Sequence, residues 1–141
     1  MQLVSLIYVS KFIPGESSEN PIAQILNSSR ENNKKLNLTG MLCFNRNYFL
    51  QCLEGSRKNV NDLFFKILKD NRHSEIMILD YQELIHRNYE KWSMGYVSEI
   101  EKINKIVLKY SRTDEFNPYE FTGDTAFHFL LELSESLSEG N

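Results

Sequence analysis

Apolar and polar positions alternate from the first residues onward. Val4, Leu6 and Tyr8 fall on one face and Leu3, Ser5 and Ile7 on the other, in a run rich in β-branched and aromatic side chains. This is the signature of a buried strand over residues 3–9. Residues 14–18, Pro-Gly-Glu-Ser-Ser, read as a loop. Asn20 then reads as a helix N-cap with Pro21 at the first helical position. The period changes there to three-and-four. Ile22, Ile25 and Leu26 open a stripe that continues as Ser29, Asn32 and Asn33, and predicts a helix to about residue 33. Two further strands follow, over residues 38–44 and 48–54, joined by the turn Asn45-Arg46-Asn47. Gly55 and Ser56 break the strand, with Ser56 in place to cap a second helix. That helix carries Val60, Leu63, Phe64, Ile67 and Leu68 and ends near Asp70. A fourth strand is predicted over residues 75–85, and a short fifth over 92–97 with Trp92, Met94 and Tyr96 on one face. From Glu101 the pattern is helical again, through Ile103, Ile106, Val107 and Tyr110. After Pro118 a last helix places Ala126, Leu130, Leu133 and Leu137 in a core-facing stripe, widened by Phe127 and Leu131. Residues 138–141 read as a frayed polar tail.

The order β-α-β-β-α-β-β followed by a helical tail defines an α+β chain. Its first six elements are those of a ferredoxin-like sandwich, a mostly antiparallel sheet with two helices on one face. The C-terminal helices are the natural cover for the other face. This divides the chain into residues 1–97, which hold the sandwich, and a C-terminal helical extension, 98–141, packed on the sheet.

Composition narrows the function classes. The 141 residues are 41% hydrophobic and 12% aromatic, enough for a sizeable core. A formal net charge of −3 attracts neither nucleic acid nor an anionic membrane. No apolar run has the length of a membrane span, and the N-terminus lacks the basic region of a signal peptide. Cys43 and Cys52 therefore read as buried free thiols of a cytoplasmic protein. Asn37-Leu38-Thr39 is a glycosylation sequon without meaning in that compartment.

Candidate chemistry comes mostly from amides. There is no phosphate-binding glycine pattern, nucleophile elbow or Cys-x-x-Cys, and His73, His86 and His128 have no metal-ligand spacing. Gln51 lies between Phe49 and Leu53 on one strand face, so its carboxamide must find partners or cost about 1–3 kcal/mol. The first helix has the matching oddity, a stripe that begins apolar and ends as amides and a hydroxyl. Tyr8, Gln51, Trp92, Met94, Asn32 and Asn33 converge on the sheet face under the helices, with Lys66, Asp70, Arg72 and His73 alongside. Such a set suits a planar polar ligand held beside the sheet. A phenol can lose an electron and a proton together, and an amide that turns exchanges donor for acceptor.

Six segments taken together carry a family resemblance: Leu6-Ile7-Tyr8, Ser28-Ser29 with Asn32-Asn33, Leu38-Thr39-Gly40-Met41-Leu42, Phe49-Leu50-Gln51-Cys52-Leu53-Glu54-Gly55, Asp70-Asn71-Arg72-His73 and Trp92-Ser93-Met94. In this order, over residues 1–97, they resemble the BLUF family of flavin photoreceptors for blue light. The resemblance implies that Tyr8 donates an electron and a proton to the excited flavin and that Gln51, between Tyr8 and the ring, changes its hydrogen bonding. It implies flavin contacts from Ser29, Asn32, Asn33, Gln51, Lys66, Asp70, Arg72 and His73, and a relay through Trp92 and Met94. The family varies at the positions of Asn32 and Lys66. The implied cofactor is FAD, with FMN as the alternative. Residues 107–111 and the final Leu-rich helix resemble the tail of short, stand-alone members. These imply a downstream signalling or regulatory protein as partner, self-association, no enzymatic activity, and no direct contact with nucleic acid or membrane. Two other readings of the residues stay open: a flavin-dependent oxidoreductase, and a ferredoxin-like interaction module without cofactor.

Overall fold

The computed structural model describes residues 2–14 and 21–137. The expected loop over 15–18, the Asn20 cap, the side chain of Ile22 and the tail over 138–141 lie outside the described residues.

The alternation of the first segment extends three residues further than expected. β1 (Leu3–Phe12) is an interior strand of the sheet, followed in the chain by α1 (Pro21–Lys35), β2 (Thr39–Phe44), β3 (Tyr48–Ser56), α2 (Arg57–Leu68), β4 (His73–Leu84) and β5 (Gly95–Val97). α3 (Ile100–Val107), a 3-10 turn over Pro118–Glu120, and α4 (Gly123–Glu135) complete the chain. The Ser56 side chain caps α2 by accepting the Asn59 N–H at 3.2 Å. Asn37 turns the chain from α1 into β2 at φ 54°, a left-handed conformation that asparagine tolerates better than most residues.

The strand order is β4-β1-β3-β2-β5. Every neighbouring pair is antiparallel except β2 and β5, which run parallel. The ferredoxin-like expectation therefore holds, with β5 added at one edge. Both faces are covered as expected. On one, Val4, Leu6, Tyr8, Leu42, Phe49 and Leu53 pack against Val60 and Phe64 of α2, with Ile25 and Leu26 of α1 partly buried beside them. On the other, Ile7, Val9, Met41, Cys43, Leu50 and Cys52 pack against Ile103, Ile106 and Val107 of α3 and against α4. Sheet residues buried on both sides read as nearly unbroken apolar runs, and this is why the central strands are so conspicuous in the sequence.

Two expectations are corrected. Residues 92–94 are not strand, and β5 is confined to Gly95–Val97. Trp92 and Met94 consequently do not share a face. Half-buried Trp92 packs with the α3 and α4 core, whereas Met94 and Tyr96 belong to the α1 and α2 side. The cause is an added contact to β2: the Gly40 N–H donates to the Trp92 carbonyl at 3.0 Å before regular pairing begins, which breaks the alternation. In α4 the buried stripe is Ala126, Phe129, Leu130 and Leu133, widened by partly buried Phe127 and Leu131 as expected. Leu137 lies beyond the helix end, partly buried against the same core, and Phe129, absent from the expected stripe, stacks on Phe116 with centroids 5.7 Å apart.

Glu54 fastens the link between β4 and β5. This fully buried carboxylate accepts hydrogen bonds from Thr39 Oγ1 at 3.0 Å and from the backbone N–H groups of Asn88 at 2.8 Å and Tyr89 at 2.9 Å. The connection is thereby anchored to the central strand just before the chain reaches residue 92.

Candidate functional site

The register of the sheet builds the centre of the site. Tyr8 of β1 lies directly opposite Gln51 of β3, and Gln51 in turn lies opposite Leu42 of β2. Directly opposed residues project to the same face, so the phenol and the carboxamide meet. The Tyr8 hydroxyl donates to Gln51 Oε1. Gln51 Nε2 donates to Met94 Sδ at 3.4 Å. Both ends of the buried amide are thus engaged, and the orphan-polar problem that Gln51 posed in the sequence is solved by a chain of donors from Tyr8 through Gln51 to Met94. Burial is the main cause, and the Asp70 charge the lesser one, of a Tyr8 pKa raised above the ordinary phenol value. Tyr8 accordingly stays a protonated donor. Phe64 and His73 flank its ring, with centroids 5.7 and 6.2 Å away.

Above this pair, between α1 and α2, is a cleft of about 230 Å³. Its apolar walls are Ile25, Leu42, Leu63 and Ile67, and its polar lining includes Ser29, Asn32, Asn33, Gln51, Lys66, Asp70, Arg72 and His73, with Tyr8. Every residue that the sequence suggested as a cofactor contact lines this one cleft. Their settings differ. Asn33 is buried and its Nδ2 donates to the Ser93 carbonyl at 2.7 Å, leaving Oδ1 for a ligand. Asn32 and Lys66 are exposed, on the rim. Asp70 accepts the Arg72 N–H and Nε–H, each at 2.9 Å. The guanidinium holds the Asp70 carboxyl below the usual carboxylate range, and the carboxylate raises the pKa of Arg72. His73 has both ring nitrogens engaged, Nδ1 with Ser10 Oγ and Nε2 with the Ile67 carbonyl, each at 2.7 Å. Since a carbonyl only accepts, Nε2 carries a proton. His73 thus ties the last turn of α2 to β1 and presents its ring, not its nitrogens, to the cleft.

Trp92 and Met94 do not line the cleft. Met94 adjoins it through its bond from Gln51, and Trp92 lies on the far side of the sheet. Arg30 is a residue that sequence reasoning missed: its Nε–H donates to the Met94 carbonyl at 3.1 Å. The available signal was its spacing of three from Asn33, which puts both on one side of α1.

The cleft fits a flavin. Apolar walls suit a flat tricyclic ring, the carboxamides of Gln51 and Asn33 suit the donors and acceptors along its edge, and the cationic rim suits a ribityl phosphate. Among the described residues no group of His, Cys, Asp and Glu is arranged to hold a metal ion, and no helix is long and apolar enough to cross a membrane.

Comparison with known proteins agrees. A family model described as sensors of blue light using FAD matches residues 3–95. The photo-activated state of BlsA superposes with a TM-score of 0.84 at 32% identity, over 99% of this chain and 98% of that one. The dark state of BlrB, a BLUF protein, gives 0.79 at 31% identity over 96% and 98%. The alpha subunit of the photoactivated adenylate cyclase of Euglena gracilis is 30% identical over 118 residues, 79% of this chain. That alignment covers only 12% of the cyclase subunit, so the chain spans about an eighth of this much longer relative. On the matched residues, the architecture and the cleft, the chain belongs to the BLUF family, the flavin-binding sensors of blue light.

Proposed function

We propose that this chain is a blue-light sensor whose photochemistry runs through Tyr8 and Gln51 and whose output is a changed affinity for a separate signalling or regulatory protein. The observation that carries this reading is the chain of donors Tyr8–Gln51–Met94 beneath a cleft fit for flavin. Bound FAD, or FMN in its place, supplies the absorption of blue light and, on excitation, an oxidant. Ser29, Asn32 and Asn33 hold it from α1, with Lys66, Asp70, Arg72 and His73 on the opposite side.

Tyr8 would be the donor of an electron to that oxidant, and its proton already lies in a hydrogen bond whose acceptor is Gln51 Oε1. When both return to Tyr8, the Gln51 carboxamide is left turned, with donor and acceptor ends exchanged. Met94 then loses the Nε2 donor it had. Exchanging one buried donor for an acceptor shifts an equilibrium by about 1–3 kcal/mol, enough to change partner affinity about 5- to 150-fold. Trp92 and Met94 relay this change, with residues 1–97 as the sensing unit and 98–141 as the output extension. Trp92 faces the α3 and α4 core and Met94 faces Gln51, so the segment connects the two faces of the sheet. We place the protein in the cytoplasm as a homo-oligomer, acting as a sensor and not as an enzyme.

The test is the absorption spectrum of the flavin-loaded protein before and after blue light. The flavin band moves slightly to longer wavelength and returns in the dark; an unchanged spectrum overturns the proposal. Bleaching of the flavin by reduced nicotinamide would instead identify an oxidoreductase, and a protein that stays colourless after reconstitution an interaction module.

A further inference from the structure

Residues 92–94 are held by three successive carbonyls. Trp92 O accepts from the Gly40 N–H at 3.0 Å, Ser93 O from Asn33 Nδ2 at 2.7 Å and Met94 O from Arg30 Nε at 3.1 Å. Two of the three donors come from α1, one turn apart. The segment has no regular strand pairing of its own, because β5 begins at Gly95. These bonds therefore define where the segment sits. The seat is not fully satisfied: the Ser93 hydroxyl is buried without a hydrogen-bond partner. An orphan buried hydroxyl weakens a seat by an amount comparable to a whole hydrogen bond. The three carbonyl bonds thus carry a larger share of what keeps the segment in place.

Asn33 lines the flavin cleft, so its two jobs cannot be separated by mutation. Arg30 does not line the cleft. It is half-buried, makes no ion pair among the described residues, and uses Nε, not its terminal nitrogens, on Met94. We infer that Arg30 is a positioning residue: its Nε–H holds the backbone of Met94 within reach of Gln51 and so sets how fast the protein returns to its dark arrangement. This rests on the sensor reading above. When Gln51 Nε2 leaves Met94 Sδ, the side-chain tie is lost but the Arg30 tie to the Met94 carbonyl remains. The backbone is then still in register for the amide to find its sulfur again. Without Arg30 the bonds to the Trp92 and Ser93 carbonyls remain but the Met94 carbonyl loses its tie, so the Met94 backbone is held less closely and the return is slower.

The test compares Arg30→Met with Arg30→Gln. Glutamine places its Nε2 at the same number of bonds from Cα as the arginine Nε and so keeps the donor, whereas methionine keeps the length and loses it. We expect Arg30→Met to bind flavin and show the full light-induced shift, but to recover in the dark about three- to tenfold more slowly, the factor that one net hydrogen bond supplies. Arg30→Gln recovers close to the wild-type rate. A second readout needs no cofactor. Trp92 is the sole tryptophan, so acrylamide quenching of the flavin-free protein reports the same segment. Quenching rises in Arg30→Met and not in Arg30→Gln. A wild-type protein without a light-induced shift refutes the sensor reading, while the quenching comparison still tests the clamp. If the wild type photocycles, recovery of Arg30→Met at the wild-type rate overturns the inference, as does an Arg30→Gln protein as slow as Arg30→Met.

Discussion

The bond between Tyr8 and Gln51 makes a prediction that can be measured without light. In flavin-free protein, Tyr8→Phe removes a hydroxyl and leaves Gln51 Oε1 without its partner. Gln51 lines the cleft, where water can replace the donor, so the cost is that of one net hydrogen bond, about 1 kcal/mol. Gln51→Leu does the opposite. It leaves the Tyr8 hydroxyl, on a ring only 4% exposed and packed between Phe64 and His73, with no acceptor. The phenol cannot escape the penalty by ionising, since burial raises its pKa. Tyr8 lines the same cleft, so water there can stand in for the lost acceptor, and the cost, with the lost Gln51–Met94 bond included, is about 1–2 kcal/mol. In the double variant both polar groups are gone, and a Phe lies beside a Leu on a face already carrying Phe49 and Leu53. The double variant should therefore be more stable than the sum of the singles predicts, by about 1–2 kcal/mol. Urea unfolding measures this, provided the slope is unchanged so that midpoints compare directly. Additivity within about 0.5 kcal/mol would refute the reasoning, because residues that do not interact add. In flavin-loaded protein each single variant keeps its colour and loses the light-induced shift; a photocycle surviving in either rules out the proposed route.

Two further predictions concern the scaffold. Cys43 and Cys52 are fully buried, and burial raises both thiol pKa values above the ordinary 9.0. A raised folded-state pKa gives stability that is present below 9.0 and lost as pH rises above it. The unfolding free energy measured in urea should therefore fall above that pH at about 1.4 kcal/mol per pH unit per thiol, and a flat profile to about pH 10 would contradict the placement. Gly40→Ala and Gly95→Ala should differ sharply. A Cβ at Gly40 would lie 2.1 Å from the Cys52 backbone oxygen, which cannot move without breaking the pairing of β2 with β3. At Gly95 the nearest atom, at 2.4 Å, is the terminal methyl of Met41, which can swing aside. We expect Gly40→Ala to cost more than about 3 kcal/mol and Gly95→Ala about 1–2 kcal/mol; equal thermal shifts would contradict this.

What the sequence determined by itself was everything governed by local period and local chemistry. The placement of Phe49, Gln51 and Leu53 on one face, the hairpin, the Ser56 cap and the stripe of α2 follow from spacing alone. The coming together of amides, phenol and cations was legible because no other single explanation accounts for polar groups on apolar faces. Only the tertiary structure decided how they meet. The pairing of Tyr8 with Gln51, 43 residues apart, depends on a register that one step of slip would abolish. The departure of residues 92–94 from strand geometry, and with it the separation of Trp92 from Met94, depends on the Gly40 N–H reaching across to the Trp92 carbonyl. The engagement of His73 with Ser10 and Ile67, and of Arg30 with Met94, depends on backbone carbonyls and hydroxyls that leave no mark in a side-chain pattern. Periodicity records which way a side chain points from its own element; which atom lies opposite is fixed only when distant segments are brought together.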